Sequence, residues 1–180
     1  MQNRVSRMAS GYNAAPFFLS PDSEMTDQQP QQQALPSFNI EKIYIKDLSV
    51  EVPGAPAIFL ERDAPQIDMQ LNTQSAPVDL ENGIYQTILT LTINAKIKDK
   101  PAFLVELQQA GIFRIQNLPQ EALEPALSIG CPNILFPYAR EAVSDAVLKA
   151  GFPPLMLQPV NFEGLYMQQQ QAHQASGQPN

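Results

Sequence analysis

The chain has 180 residues and a mass of 19.9 kDa, which suits one folded domain with some residues to spare. Eleven basic and 18 acidic side chains give a net charge of −7, so there is no net positive charge to attract a nucleic acid. No apolar run approaches the ~18 residues of a membrane span. The single cysteine, Cys131, excludes an internal disulfide, and we expect a cytoplasmic protein.

The two ends of the chain differ in composition from its middle. Residues 1–37 contain six glutamines and four prolines without a sustained helical or strand period, and residues 168–180 repeat this glutamine-rich composition. Such segments bury too little apolar surface to fold. We therefore predict disordered tails at both ends of a packed unit that spans residues 38–167.

Four strands are predicted in the first part of the packed unit. The stretch from Phe38 to Val52 is rich in β-branched and aromatic residues, but its apolar positions change face, so either a bulge interrupts it or both faces are partly covered. Alternating apolar and polar residues predict further strands in residues 66–72, 84–97 and 102–114. Because no helix separates these strands, an antiparallel sheet is favoured.

Two helices are predicted after the strands. Apolar residues recur at spacings of three and four from Leu135 to Ala150, which indicates an amphipathic helix that ends at Gly151. Pro137 is expected in its first turn or at a kink. A second, short helix is predicted from Asn161, a good N-cap residue. Its apolar stripe consists of Phe162, Leu165 and Tyr166.

No catalytic motif is found in the sequence. The only histidine, His173, lies in the glutamine-rich C-terminal stretch, and there is no phosphate-binding loop or metal-ligand spacing. No base stands near Cys131 in the motif GCPNILFPYARE, so this cysteine is interpreted as a small buried core residue. We expect no enzymatic activity, no cofactor and no metal site.

Two surface features point to binding instead. Asp47 and Glu51 alternate with the apolar residues of the first strand and are interpreted as an acidic docking patch. Residues 53–66 (PGAPAIFLERDAPQ) and 151–167 (GFPPLMLQPVNFEGLYM) combine prolines with large apolar side chains. Such segments either pack across their own core or form an apolar groove that accepts many partners.

Four stretches of the chain resemble the SecB family of bacterial protein-export chaperones: FNIEKIYIKDLSVEVPGAP, AFLVELQQAGIF, GCPNILFPYARE and FPPLMLQPVNFEGLYM. The resemblance covers residues 38–167 in the family's order, whereas the long N-terminal stretch is not part of the usual pattern. It implies an α+β fold with helices packed on one face of a four-stranded antiparallel sheet. It also implies two subunits in a dimer and two dimers in a homotetramer.

The resemblance further implies a chaperone that binds unfolded secretory precursors in the cytoplasm, keeps them competent for translocation and delivers them to SecA. Neither ATP hydrolysis of its own nor membrane insertion is implied. Carried over residue by residue, the SecA-binding positions are Asp47, Glu51, Leu104 and Glu106. They would meet the basic, zinc-bearing C-terminal tail of SecA, and the zinc belongs to SecA. The candidates for client binding are Ile58, Phe59, Leu60, Met156, Phe162 and Tyr166.

Two alternative functions remain open at this point. A SecB-like chaperone can serve a toxin and antitoxin pair, which neighbouring genes would reveal. In a different class, the apolar groove can serve a small-molecule-binding domain or an enzyme. A single deep, polar-lined pocket would favour that second alternative, whereas long open apolar channels would not.

Overall fold

A computed structural model of the protein describes residues 35–176. The tail predicted for residues 1–37 lies outside this range except for its last three residues, and so do residues 177–180. The elements are β1 (Ser37–Glu51), a short 3-10 helix (Ala57–Leu60), β2 (Gln66–Asp79), β3 (Ile84–Ile97), β4 (Lys100–Gln116), α1 (Gln120–Pro125), a π-helical turn (Ala126–Gly130), α2 (Cys131–Lys149) and α3 (Phe162–Ser176).

The four strands form one antiparallel sheet in the order β1-β4-β3-β2. The prediction of an antiparallel sheet is confirmed. The two hairpins, β2 with β3 and β3 with β4, pair neighbours in sequence. β1 pairs with β4, so the crossover formed by residues 52–65 must pass from β1 at one edge of the sheet to β2 at the other. Both β1 and β2 are therefore edge strands, and the two central strands hold most of the core.

A β-bulge explains the change of apolar phase in β1. The register with β4 shifts between Ile45 and Asp47, so Lys46 is an extra residue in this strand. Because of this extra residue, Ile45 and Leu48 lie on the same face although they are three positions apart. Asp47 and Glu51 lie on the opposite face. Of the two explanations that the sequence allowed, the bulge is confirmed.

The helices pack on one face of the sheet, as predicted. The core between the layers takes alternate residues of β3 and β4 together with one side of α2. Its fully buried large side chains include Leu89, Leu91, Ile93, Val105, Leu107, Phe113, Leu135, Val143 and Val147. No helix within residues 35–176 is long and apolar enough to cross a membrane.

Gly111 in β4 lets α2 lie close to the sheet. A Cβ atom at this position would stand 2.9 Å from Leu135 Cδ2 and 2.7 Å from Phe113 Cε2. Both neighbours are fully buried and have no room to move. The glycine therefore sets the distance at which the longest helix packs on the strand beneath it.

The helix predicted near Leu135 begins earlier than expected. α2 starts at Cys131, so Pro137 lies in its interior. Of the two predicted placements, the first turn was wrong, and a kink at Pro137 stays a prediction. Pro137 lacks the N–H that would bond to the carbonyl of Asn133, but both residues are exposed, so water can satisfy this carbonyl.

The C-terminal helix is longer than predicted. α3 runs to Ser176, so the boundary placed at residue 167 falls inside the helix, and the predicted tail of residues 168–180 is corrected as far as Ser176. Glutamine and alanine, which dominate this stretch, are good helix formers. In addition, Gln170 Nε2 donates a hydrogen bond of 2.9 Å to Glu124 Oε1, which ties α3 to α1.

Candidate functional site

An open groove of about 700 Å³ runs between the edge strand β2, α1 with the π-helical turn, and α3. We call it the α3 groove. Glutamine and serine side chains lie beside its apolar walls. The apolar walls are formed by Leu71, Leu123, Leu127, Leu165 and Tyr166. Its position at a sheet edge leaves room for an extended chain to lie along it.

The first turn of α3 places the predicted stripe in this groove. Asn161 Oδ1 accepts a hydrogen bond of 2.9 Å from the Gly164 N–H, which confirms the predicted N-cap. Phe162, Leu165 and Tyr166 follow at helical spacing and all border the groove. Phe162 itself is only 3% exposed, so it belongs to the core beneath the groove.

The crossover after β1 carries a second apolar surface. Ile58 is 3% exposed and is part of the core, whereas Phe59 and Leu60 are exposed, Leu60 by 78%. The ring of Phe59 packs against that of Phe152, in the loop after α2, with the ring centroids 5.3 Å apart and the planes tilted by 41°. Phe59 and Leu60 form what we call the crossover patch.

Met156 lies in a third place. It is 63% exposed and borders a hollow of about 500 Å³ on the outer side of α2, together with Pro137 and Leu148. The six candidates for client binding are therefore not one cluster. Two of them, Ile58 and Phe162, are core residues, and the other four are distributed over the α3 groove, the crossover patch and this hollow.

The four candidate SecA-binding residues share the face of the sheet that the helices leave open. In the pairing of β1 with β4, Glu51 stands opposite Leu104, Ser49 opposite Glu106, and Asp47 opposite Gln108. The three carboxylate side chains are exposed and Leu104 is half-buried. The structure thus brings together an acidic patch with one apolar residue, which we call the acidic face.

Cys131 is fully buried at the start of α2, so the prediction of a core residue is confirmed. Burial raises the pKa of its thiol to about 11, although a hydrogen bond with Thr87 acts in the opposite direction. The Thr87 hydroxyl also bonds to that of Ser75 at 2.8 Å. Because the thiol stays protonated below about pH 11, it is a poor nucleophile at neutral pH.

Alkylation of Cys131 is therefore expected to be slow in the folded protein. With iodoacetamide at pH 8, we expect a rate about 100-fold lower than in urea, because the unfolded thiol has a pKa near 8.5. The native rate should keep rising with pH until the pH reaches the raised pKa of about 11, whereas the rate in urea should level off above about pH 8.5. Equal rates with and without urea, followed by mass spectrometry, would contradict this assignment.

Three residues that line the α3 groove, Leu71, Leu123 and Leu127, were not predicted to belong to a binding site. Leu123 and Leu127 precede the predicted helix and carry no functional pattern of their own. The alternation around Leu71 predicted one buried face for β2, yet Ile67 and Met69 on that face are exposed, because α2 lies over β3 and β4. The groove could not be predicted because the sequence does not reveal that β2 is an edge strand that α2 leaves uncovered.

These features define the class of protein: an α+β binding protein with open apolar surfaces and an acidic sheet face. Residues 31–173 match the family model described as preprotein translocase subunit SecB. The chain belongs to the SecB family.

Relatives in this family are similar along nearly their whole length. The protein-export protein SecB of Dechloromonas aromatica is 62% identical over 141 residues, which cover 78% of this chain and 91% of the relative. The protein of the same name from Thiobacillus denitrificans is 60% identical over 139 residues, or 77% and 90% of the two chains. That of Nitrosospira multiformis is 53% identical over 155 residues, or 86% and 94%.

A solved structure supports the fold. The SecB-like chaperone of Mycobacterium tuberculosis, in complex with a ChAD peptide from an antitoxin, aligns with a TM-score of 0.57 at 17% identity. The alignment covers 68% of this chain and 90% of that chain. At this identity the likeness concerns the fold alone.

Proposed function

We propose that this protein is a cytoplasmic chaperone that binds unfolded secretory precursors, keeps them competent for translocation and delivers them to SecA. Membership of a family of protein-export chaperones supports export over a role with a toxin and antitoxin pair, and over a small-molecule site. The observation that carries the proposal is apolar surface left open on the folded chain, in the α3 groove and the crossover patch. No cofactor and no catalytic step are required.

The energetics favour weak individual contacts. Full burial of one large apolar side chain contributes about 1.5–3 kcal/mol, and ordering of the bound chain offsets much of this gain. One groove alone therefore binds loosely. When several grooves in one assembly engage the same long chain, effective concentration raises the overall affinity by about 10²–10⁴-fold. Folded proteins bury their apolar segments and are not bound.

A homotetramer built as a dimer of dimers would bring several grooves together, and we include it in the proposal. Exposed apolar side chains on β1 and on the outer side of α2 support it, because monomers rarely leave such surface in contact with water. They are Ile40, Ile45, Leu48, Tyr138 and Leu148.

Docking on SecA is assigned in this proposal to the acidic face. Asp47, Glu51 and Glu106 present three carboxylates to solvent, and Leu104 adds an apolar contact between them. Such a surface complements the basic, zinc-bearing tail of SecA. Charges of this kind mainly set the rate of encounter and the choice of partner.

Replacing one apolar side chain in each of the two open surfaces tests client binding. We expect the double variant Leu60→Ser, Tyr166→Ser to bind a permanently unfolded protein about tenfold more weakly, since each side chain contributes part of its ~1.5–3 kcal/mol burial energy. Reduced, carboxymethylated α-lactalbumin is a suitable probe, followed by fluorescence anisotropy without nucleotide.

Met167→Ser provides the matched control. Met167 is an exposed residue next to Tyr166 in α3 but does not border the groove. Its replacement should leave the affinity within about twofold, as for an ordinary surface substitution. If the control variant and the double variant bound equally well, the two open surfaces would not be the client-binding site.

A further inference from the structure

The C-terminal end of the crossover is tied to the β3–β4 hairpin by three charged contacts. Lys100 Nζ lies 2.8 Å from Glu61 Oε1, and Lys98 Nζ lies 3.3 Å from Glu61 Oε2. Lys98 Nζ also lies 2.6 Å from Asp63 Oδ2. Two lysines of one hairpin therefore converge on the residue that directly follows the crossover patch.

The β3–β4 hairpin has a regular tight turn, which fixes the backbone of the lysines that make these contacts. Lys98 and Asp99 both have positive φ, 48° and 64°, which matches the two-residue turn that fits the twist of paired strands. The hairpin also touches the start of the crossover, since a Cβ on Gly54 would stand 3.0 Å from the Pro101 carbonyl oxygen. The crossover thus meets this hairpin near both of its ends.

Single exposed ion pairs contribute little, because water screens them and two long side chains must be ordered. Glu61 differs from such pairs, since its side chain is only 20% exposed and accepts hydrogen bonds from two lysines. Contact with Lys100, and then with Lys98, holds the pKa of this carboxyl below its usual range. The carboxylate is therefore fully charged at neutral pH.

Leu60 depends on its neighbours for its position. Its side chain is 78% exposed and packs on little of the protein. Before it, Phe59 rests on Phe152 and on Gly151, where a Cβ would stand 3.2 Å from the Phe59 ring. After it, the Glu61 N–H donates a hydrogen bond of 3.2 Å to the Ile58 carbonyl oxygen, and the charged contacts of Glu61 and Asp63 hold the chain before β2 begins at Gln66.

We infer that Glu61, Lys98 and Lys100 form an ion-pair latch that holds the crossover patch in its client-binding position. These three are positioning residues, and the inference rests on the proposed function. A patch that is already ordered spares the bound state the entropy cost of fixing it. Without the latch, only part of the population would present the patch correctly, and the apparent affinity would fall by that fraction.

The full-length variant Glu61→Gln tests the latch, because it removes the charge and keeps the size of the side chain. With reduced, carboxymethylated α-lactalbumin as the probe, we expect roughly threefold to tenfold weaker binding. Amide hydrogen exchange in residues 53–66 should become faster while the rest of the sheet is unchanged.

A charge exchange separates the latch from a general loss of structure. Glu61→Lys should weaken binding further, and the addition of Lys100→Glu should restore most of it. The control is Glu41→Gln, which removes an ion pair of 2.6 Å with Arg114, away from the crossover, and should leave binding unchanged.

The outcomes are distinguishable. If the wild-type chain binds the probe and Glu61→Gln binds it equally well, or if exchange in residues 53–66 does not change, the latch is overturned. If the wild-type chain does not bind the probe, the proposed function fails and the latch fails with it.

Discussion

Replacement of Glu106 by lysine is expected to lower the affinity for SecA by about 10- to 100-fold, since placing like charges together at an interface costs several kcal/mol. Glu106 projects from the middle of the open face of the sheet, opposite Ser49 on one side and Thr92 on the other. A lysine there would put a positive charge in the centre of the acidic face. Surface plasmon resonance with immobilised SecA measures the change, which should be mainly in the association rate.

Binding of unfolded protein by the same variant should remain within about twofold of wild type, as for a surface substitution away from the grooves. The matched control is Glu81→Lys, which makes the same change in net charge in the exposed turn between β2 and β3. The difference between the two variants should shrink as salt rises, because ions screen exposed charges. Equal effects of both variants on SecA would refute a docking role for this face.

The variant Leu135→Ala is expected to lower the free energy of unfolding by about 2–5 kcal/mol. Leu135 is fully buried, and its Cδ2 atom would stand 2.9 Å from a Cβ on Gly111 of β4. The surrounding strands pair along their whole length, so they cannot collapse into the cavity. Urea unfolding followed by circular dichroism measures the effect, at equal protein concentration because the proposed homotetramer would make stability depend on concentration.

Leu80→Ala removes the same atoms from an exposed position in the turn after β2 and is the control. It should change the unfolding free energy by no more than about 0.5 kcal/mol. A similar loss in both variants would mean that burial at the α2–β4 contact is not what stabilises the fold.

The sheet was predictable from local alternation because a strand with one buried face shows it directly in its sequence. The same alternation placed Asp47, Glu51, Leu104 and Glu106 on exposed faces, and pairing of β1 with β4 joins them. The bulge at Lys46 was predicted only as one of two possibilities. Its position depends on how the partner strand pairs, which a single strand does not reveal.

The candidate client-binding residues were harder to predict. Ile58 and Phe59 are adjacent apolar residues in one short helix, yet the first is buried and the second is exposed. Phe162 and Tyr166 lie on one stripe of α3, yet Phe162 is buried and packs on Phe136 at 5.9 Å, whereas Tyr166 is only half-buried. Which member of such a pair reaches the core depends on distant elements, and periodicity carries no information about them.

The separation of the acidic face from the α3 groove bears on how a bound precursor would be transferred to SecA. The acidic face lies on β1 and β4, on the side of the sheet that the helices leave open, whereas the α3 groove borders β2 on the helix side. Under the proposed function, a motor and a stretched substrate would therefore not compete for space on one subunit. In this proposal a ternary complex would form before the substrate is released. Transfer would then require only that loosely held segments dissociate from the chaperone one at a time and enter a motor that is already docked.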